Sequence, residues 1–423
     1  MVYVLNINKE PLMPCTKAKA RKLLKQDKAR IVKYTPFTIQ LLFECENKTQ
    51  DITLGVDAGS KVIGLSATTK GKELYSSEIE LRNDIVNLLS TRRQNRRTRR
   101  NRLRYRKPRF NNRVSRKKKG WLAPSIEHKI QTHIKVVGDV YKILPIDKII
   151  VETASFDIQK IKNPDISSTE YQQGEQMGFW NVREYVLFRD NHTCQSCKGK
   201  SKDKILNVHH IESRKTGGDS PSNLVTLCET CHNKYHKGEI ELNIKRGESF
   251  RDAAFMGIMR WTLYDRLKEI YPNVSMTYGY ITKNTRITNN LPKEHRVDAR
   301  CISGNPLAEP LDCYYYQKKV RCHNRQIHKA KILKGGKKKN NQAEYLVKGF
   351  RLFDKVEYNK EEYFIFGRRN SGYFDIRKLD GTKVNNGSVS YKLLTLVSAR
   401  KSLIIERRRL SPLMTKVTSV RQP

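Results

Sequence analysis

Residues 194–236 read Cys194-x-x-Cys197, then Val208-His209-His210-Ile211, then Ser222-Asn223-Leu224-Val225, and close on Cys228-x-x-Cys231-His232-x-x-x-His236. The two Cys-x-x-Cys pairs have thirty residues between them and supply four thiolates, Cys194, Cys197, Cys228 and Cys231, at the spacing of a tetrahedral structural Zn²⁺ site. A stretch this short holds too few apolar residues for a core of its own, so a metal closing its ends acts as a staple. A plain zinc ribbon without chemistry satisfies the cysteines equally well. What lies between them points further. His209-His210 follow a β-type run over 204–208, and Asn223 opens a second apolar run that leads into the second cysteine pair. Hydrolysis of a phosphodiester needs a base to activate water and a divalent cation against the phosphate. A neutral imidazole suits the first role, and His209 with the amide oxygen of Asn223 suits a hard cation that keeps most of its waters. His232 and His236 share one helical face at i, i+4, which fits assistance to phosphate or metal, or plain packing.

Taken in order, the histidine pair, the asparagine and both cysteine pairs resemble the zinc-ribbon variety of the HNH nucleases, which have a ββα-metal fold. That resemblance implies His210 as general base and His209 and Asn223 as ligands of one Mg²⁺.

The chain has 423 residues, room for two to four domains, with 84 Lys and Arg against 42 acids and a net charge of +42. Such an excess repels itself unless a polyanion neutralises it, so nucleic acid is the expected partner. No stretch approaches 18 apolar residues, and the first eight residues are too short and polar for a signal peptide, which argues against a membrane and for the cytoplasm. Nine cysteines, four of them in the two pairs, fit a reducing compartment. Cys15, Cys45, Cys301, Cys313 and Cys322 receive no role.

Residues 1–50 read as a small α+β module, with Pro11-Leu12-Met13-Pro14 as a rigid turn, a basic helix over 16–27 and a strand in which Phe37, Ile39, Leu41 and Phe43 alternate with polar residues. From residue 53 the chain reads Thr53-Leu54-Gly55-Val56-Asp57-Ala58-Gly59-Ser60, then two further strands ending near Leu81. An Asp inside an apolar strand is costly unless paired or bound to a cation, which makes Asp57 a candidate metal ligand. A meander of three strands that begins with such an Asp is how the RNase H-like fold starts. From Arg92 to Lys119, sixteen of twenty-eight residues are Arg or Lys and none is acidic. The reading is a long exposed helix, stable when phosphates lie on several sides, with Arg92, Arg93, Arg96, Arg97, Arg99, Arg100, Arg102, Arg104 and Arg106 as phosphate contacts. A helix over 125–144 follows, then a β-branched strand, Lys148-Ile149-Ile150-Val151, that ends on Glu152. Beyond the cysteine module come a helix over 250–271, a strand over 274–281, and His295 and Asp298 on one helical face. Asp57, Glu152 and Asp298 are what a two-metal phosphodiesterase needs, with His295 available to activate water. A basic segment then leads to short strands over 343–406 with turns at Asn370-Ser371-Gly372, Asp380-Gly381 and Asn385-Asn386-Gly387, read as a small barrel or curled sheet.

An RNase H-like nuclease split by an HNH insert, with an arginine-rich helix after its first meander and a Pro-Leu-Met-Pro amino terminus, resembles the IscB family of transposon-encoded RNA-guided nucleases. The implied fold is multidomain α/β: a split RuvC-like mixed sheet, an inserted ββα-metal zinc-ribbon domain, an arginine-rich bridge helix and a small β-rich carboxy-terminal domain. The expected boundaries are 1–50 for the amino-terminal domain, 51–82, 121–165 and 246–312 for the three RuvC-like parts, 83–120 for the bridge helix and 166–245 for the HNH insert. Residues 313–342 would contact RNA scaffold and 343–423 would read a target-adjacent motif. The resemblance implies a DNA endonuclease that binds a structured guide RNA, with the arginines from Arg92 to Arg106 as contacts to it, and cuts both strands of matching double-stranded DNA. Asp57, Glu152, His295 and Asp298, with two Mg²⁺, would cut the displaced strand, and His210 the guide-paired strand. It also implies a monomeric protein in a ribonucleoprotein, in the cytoplasm of a prokaryote. Two other readings stand beside it: an RNA-independent HNH enzyme of homing or restriction type, and a non-catalytic RNA-binding protein.

Overall fold

The computed structural model describes residues 1–85, 87–94, 121–153, 176, 178–179, 181–213, 218–245, 247, 251–321 and 344–410, with backbone alone for 251–255. The arginines from Arg96 to Arg106 and most of the basic segment expected over 313–342 lie outside these residues; Arg92 and Arg93 sit in a helical stretch over 87–94. The chain divides into two compact units, residues 1–155 with 256–423, and residues 156–255.

The first unit opens with β1 (Val2–Leu5), β2 (Pro11–Cys15), α1 (Lys17–Lys25), β3 (Ala29–Lys33) and β4 (Thr38–Leu41), whose strands lie in the order β2-β1-β4-β3. Thr16 caps α1 by accepting the Lys19 N–H at 3.2 Å. Val2, Val4, Leu12, Ala20, Ile39 and Leu41 fill the space between helix and sheet. Pro11-Leu12-Met13-Pro14 is strand β2 and not the expected rigid turn. It lies at the sheet edge, where the missing proline N–H costs no ladder hydrogen bond.

The meander β5 (Thr53–Ala58), β6 (Val62–Thr68) and β7 (Glu73–Glu80) is antiparallel throughout. Helix α2 (Pro124–Tyr141) buries Ile130, His133, Val136, Val137 and Val140 at helical spacing and leads to β8 (Lys148–Glu152), which lies parallel to β5.

The second unit holds α3 (Val182–Arg189), the antiparallel pair β9 (Leu206–His210) and β10 (Leu224–Cys228), and α4 (Glu229–Lys237). Its buried cluster is Cys194, Val225, Leu227, Cys228 and Cys231. Three of those five are cysteines, so the apolar contribution to its stability is small.

The first unit resumes in α5 (Arg251–Ile270), which buries Met259, Leu263 and Leu267, and in β11 (Val274–Thr277), parallel to β8. The strand expected over 274–281 stops at Thr277. Gly279, a poor strand residue, instead begins α6 (Gly279–Thr288), and α7 (His295–Ile302) follows. Next come β12 (Cys313–Lys319), β13 (Lys355–Tyr358), β14 (Glu361–Arg368), β15 (Tyr373–Arg377), β16 (Val389–Ser390), β17 (Thr395–Ser398) and β18 (Leu403–Arg409). Five of these form an antiparallel sheet, β16-β15-β14-β13-β17, around Val356, Ile365, Phe374 and Ile376. Strand β18 leaves that sheet and pairs with β12 from Leu403 to Arg409, because its apolar Leu403 and Ile404 are buried there. The resulting seven-stranded mixed sheet runs β11-β8-β5-β6-β7-β12-β18, with β5 an interior strand between β8 and β6.

Candidate active sites

In the second unit the four cysteines converge, their Sγ atoms all within 4.8 Å of one another. Cys197 Sγ and Cys228 Sγ are 3.8 Å apart, which matches the edge of a tetrahedron with metal–sulfur bonds of about 2.3 Å. Cys228 also caps α4, its sulfur accepting the Cys231 N–H at 3.5 Å. Burial pushes the Cys231 thiol up to about 12, so a bound cation would displace its proton. The donor set and its spacing fit Zn²⁺.

A second cluster joins β9 to α4. Ring nitrogens of His209, His232 and His236 lie within 4.8 Å of one another, and Nε2 of His232 and Nε2 of His236 are 3.3 Å apart. Nε2 of His209 is buried and has no hydrogen-bond partner among the described residues. Burial, helped by the neighbouring His232 and His236, holds the His209 imidazole down to about 4, and burial also lowers His232. Three imidazoles whose ring nitrogens converge suit a divalent cation, and nitrogen donors suit zinc-like metals better than Mg²⁺. Asn223, expected as a ligand beside His209, has a different job. It is fully buried; its Oδ1 accepts the Glu212 N–H at 2.9 Å, and its Nδ2 donates to Glu212 O at 3.0 Å and Gly218 O at 2.9 Å. It ties the ends of the loop that joins β9 to β10. His210, the last residue of β9, places Nε2 2.9 Å from Oδ1 of Asp219.

In the first unit, four side chains from widely separated segments meet on one face of the large sheet. Asp57 and Glu152 each stand one residue beyond the paired positions Val56 and Val151 of adjacent parallel strands, so both point to the same side. Helix α7 crosses that face closely enough that a Cβ on Gly55 would come to 2.0 Å from Ala299 O, and one on Gly64 to 2.0 Å from His295 O. No side chain fits at either glycine. At the start of α7, Nδ1 of His295 lies 2.6 Å from Asp57 Oδ2, and the Glu78 carboxylate accepts the Arg296 N–H at 3.3 Å. Asp298, one turn along, is ion-paired with Arg286 of α6 at 2.9 Å, although that N–H points off the line of a hydrogen bond. Burial, then the nearby Asp57 charge, raises Glu152 to about 7, against a lowering contribution from the Thr282 hydroxyl. The same two causes raise Asp298, opposed by Arg286, while the hydrogen bond to Asp57 raises His295 against its own burial. Three partly buried carboxylates side by side, with the Asp57 charge raising the proton affinity of the other two, suit a cation.

Two family models match the chain: RRXRR protein over residues 2–174 and HNH endonuclease over residues 194–238. The chain carries an HNH endonuclease domain. A segment of 67 residues is 46% identical to anaredoxin of Nostoc sp. (strain PCC 7120 / SAG 25.82 / UTEX 2576), covering 15% of this chain and 84% of that protein. Over that segment the chain belongs to the family of anaredoxin. Among solved structures it is similar to Streptococcus thermophilus Cas9 in complex with the AGAA PAM, at 16% identity and TM-score 0.29 over 44% of this chain and 26% of that one. It is also similar to the same protein in complex with the GGAA PAM, at 14% identity and TM-score 0.31 over 49% and 29%. The chain thus spans between a quarter and a third of the Cas9 chains it matches.

Within the HNH domain the residue least visible in the sequence is Asp219, which follows Gly217-Gly218 and reads there as part of a turn. In the first unit Glu78, Thr282 and Arg286 had the same anonymity. Row position offers the one signal: Glu78 pairs with Gly64, and Gly64 pairs with Asp57, so the two acids lie in one row across β5, β6 and β7. Among the described residues no helix is long and apolar enough to cross a membrane.

Proposed function

We propose that the protein is a metal-dependent, RNA-guided DNA endonuclease of the IscB type, with one cutting site in each unit. The observation that carries this reading is the meeting of Asp57, Glu152, His295 and Asp298 on one sheet face, in a chain that also carries an HNH domain. The strand order β7-β6-β5-β8-β11, antiparallel to β5 and then parallel, supports an RNase H-like core for that face. A net charge of +42 and the arginine run from Arg92 support a large nucleic-acid contact, for which guide RNA and target DNA are the proposed partners.

Asp57, Glu152 and Asp298 would hold two Mg²⁺, and His209, His232 and His236 the cation of the HNH site. Bound cations would polarise the scissile phosphate and lower the pKa of water. At the HNH site His210 takes the proton from the attacking water, and Asp219, accepting from Nε2–H, holds the ring in the tautomer whose Nδ1 faces the substrate. In the other site His295, turned by Asp57, is the proton acceptor. The HNH site would cut the guide-paired strand and the acid site the displaced strand.

The test is strand-resolved cleavage of a matched duplex by protein purified with its bound RNA. His210→Ala is expected to leave a nick in the displaced strand, and Asp57→Ala or Glu152→Ala a nick in the guide-paired strand. Cleavage that needs no RNA would favour a homing or restriction-type enzyme, and a His210→Ala protein that cuts neither strand would end the division of labour.

A further inference from the structure

Gly279, the first residue of α6, backs directly onto the acid site: a Cβ there would lie 3.0 Å from Glu152 Oε1. The residues on either side are both tyrosines. Tyr278 is 43% and Tyr280 65% exposed, their rings are nearly parallel at 13°, and their centroids are 6.1 Å apart. Neither hydroxyl has a hydrogen-bond partner among the described residues, and both rings stand exposed. Ile281, next in the chain, is also exposed at 42%, and Lys283 adds an exposed positive charge on the same turn of helix. Folding therefore gains little from these rings. Two large flat surfaces held open to water beside a carboxylate cluster are suited to a flat, apolar-faced ligand.

We infer that Tyr278 and Tyr280 form a stacking platform for an unpaired nucleobase of the strand whose phosphate is cut at the Asp57–Glu152 site. The inference rests on the nuclease reading of that site. A nucleobase is the occupant that matches the setting: a planar π-face for the rings, on a phosphate backbone that a chain of charge +42 attracts. Stacking needs a free base face, which a paired and stacked duplex does not offer. The platform therefore selects single-stranded DNA for this site, and it tolerates any sequence because every base has a π-face.

The test uses the full-length protein, Ca²⁺ in place of Mg²⁺, and single-stranded DNA oligonucleotides carrying 2-aminopurine at successive positions. Wild type is expected to quench the fluorescence of one position strongly. Tyr278→Ala/Tyr280→Ala is expected to lose that quench and to bind about 5- to 100-fold more weakly, the range of one base–aromatic stack. Tyr278→Phe/Tyr280→Phe, which keeps the rings, is expected to retain both, and the same sequence as a duplex to show neither. Tyr280→Ala alone, at the more exposed position, keeps the test valid if the double variant folds poorly. An unchanged quench in the alanine variants, or a phenylalanine variant as weak as alanine, overturns the platform. Cleavage in Mg²⁺ separates the two ideas. Asp57-dependent cutting with no quenched position would leave the nuclease and remove the platform, whereas tyrosine-dependent quenching without cutting would do the reverse.

Discussion

Asp57 and His295 are 238 positions apart in the chain, yet the imidazole Nδ1 sits 2.6 Å from the carboxylate Oδ2. The cross-strand partner of Asp57 makes this possible. Gly64 faces Asp57 in the next strand, and its bare Cα lets the backbone of His295 rest on the sheet where any side chain would collide. Gly64→Ala is therefore expected to lift the start of α7. It should cost roughly 1–3 kcal/mol of stability, as overpacking does. A displacement of about 1 Å at His295 should cut cleavage of the displaced strand by about 100-fold. Urea denaturation and strand-resolved kinetics measure the two effects. Cleavage of the guide-paired strand should stay at the wild-type rate, and equal loss on both strands would mean that the glycine serves general stability.

The clustered acids were legible in the sequence because burial leaves a mark: an Asp or Glu ending an apolar β-branched strand has few reasons to be there, and Asp57 and Glu152 both do so. His295 and Asp298 were legible as a pair by helical spacing. The glycines that admit α7 were not, since Gly55 and Gly64 look like ordinary strand glycines until the helix above them is known. Asn223 misled for a related reason. An amide suits a cation and a loop staple equally, and the choice depends on which backbone groups lie near it. Pro11 and Pro14 read as a turn because the sequence cannot say that their strand is an edge.

The contact between His210 and Asp219 predicts a partial defect. Removing the base altogether, as in His210→Ala, costs about 10²- to 10⁴-fold where general-base catalysis operates. Asp219→Asn keeps the shape and a hydrogen bond but loses the charge that favours one tautomer and the protonated ring. Cleavage of the guide-paired strand should fall by less than in His210→Ala, yet by at least about 10-fold, with bound metal unchanged. A rate equal to wild type would reduce Asp219 to a surface partner.

The two candidate metal clusters of the HNH domain share α4 but no residue, so they are expected to separate by mutation. Cys194→Ser or Cys231→Ser should lose the thiolate-held zinc and unfold residues 181–238, since cysteines make up most of the buried cluster there. His232→Ala or His236→Ala should leave that zinc in place under mild EDTA while abolishing cleavage of the guide-paired strand. Zinc content per chain and a protease-resistance assay of the second unit check both. Full zinc content in the cysteine variants would reject the four-thiolate site.

His133 sets an acid limit on the first unit. It is fully buried on α2, and its Nδ1 must donate, because its partner at 2.8 Å is the carbonyl of Lys129. Burial holds its folded-state pKa down to about 4, against an ordinary value of 6.5. Above pH 6.5 the imidazole is neutral in both states and stability does not depend on it. As pH falls from 6.5 towards 4, the unfolded chain takes up a proton that the folded chain refuses, so stability is lost across that window. The full loss from a shift of this size is roughly 3 kcal/mol. Carboxylates contribute acid sensitivity of their own, so the measurement is a comparison of slopes. In urea titrations at half-unit steps from pH 7 to 4.5, His133→Leu should show a visibly flatter fall in stability than wild type, whatever its absolute stability. Parallel curves would mean that the ring becomes protonated in the folded state, and that α2 opens to water before the sheet does.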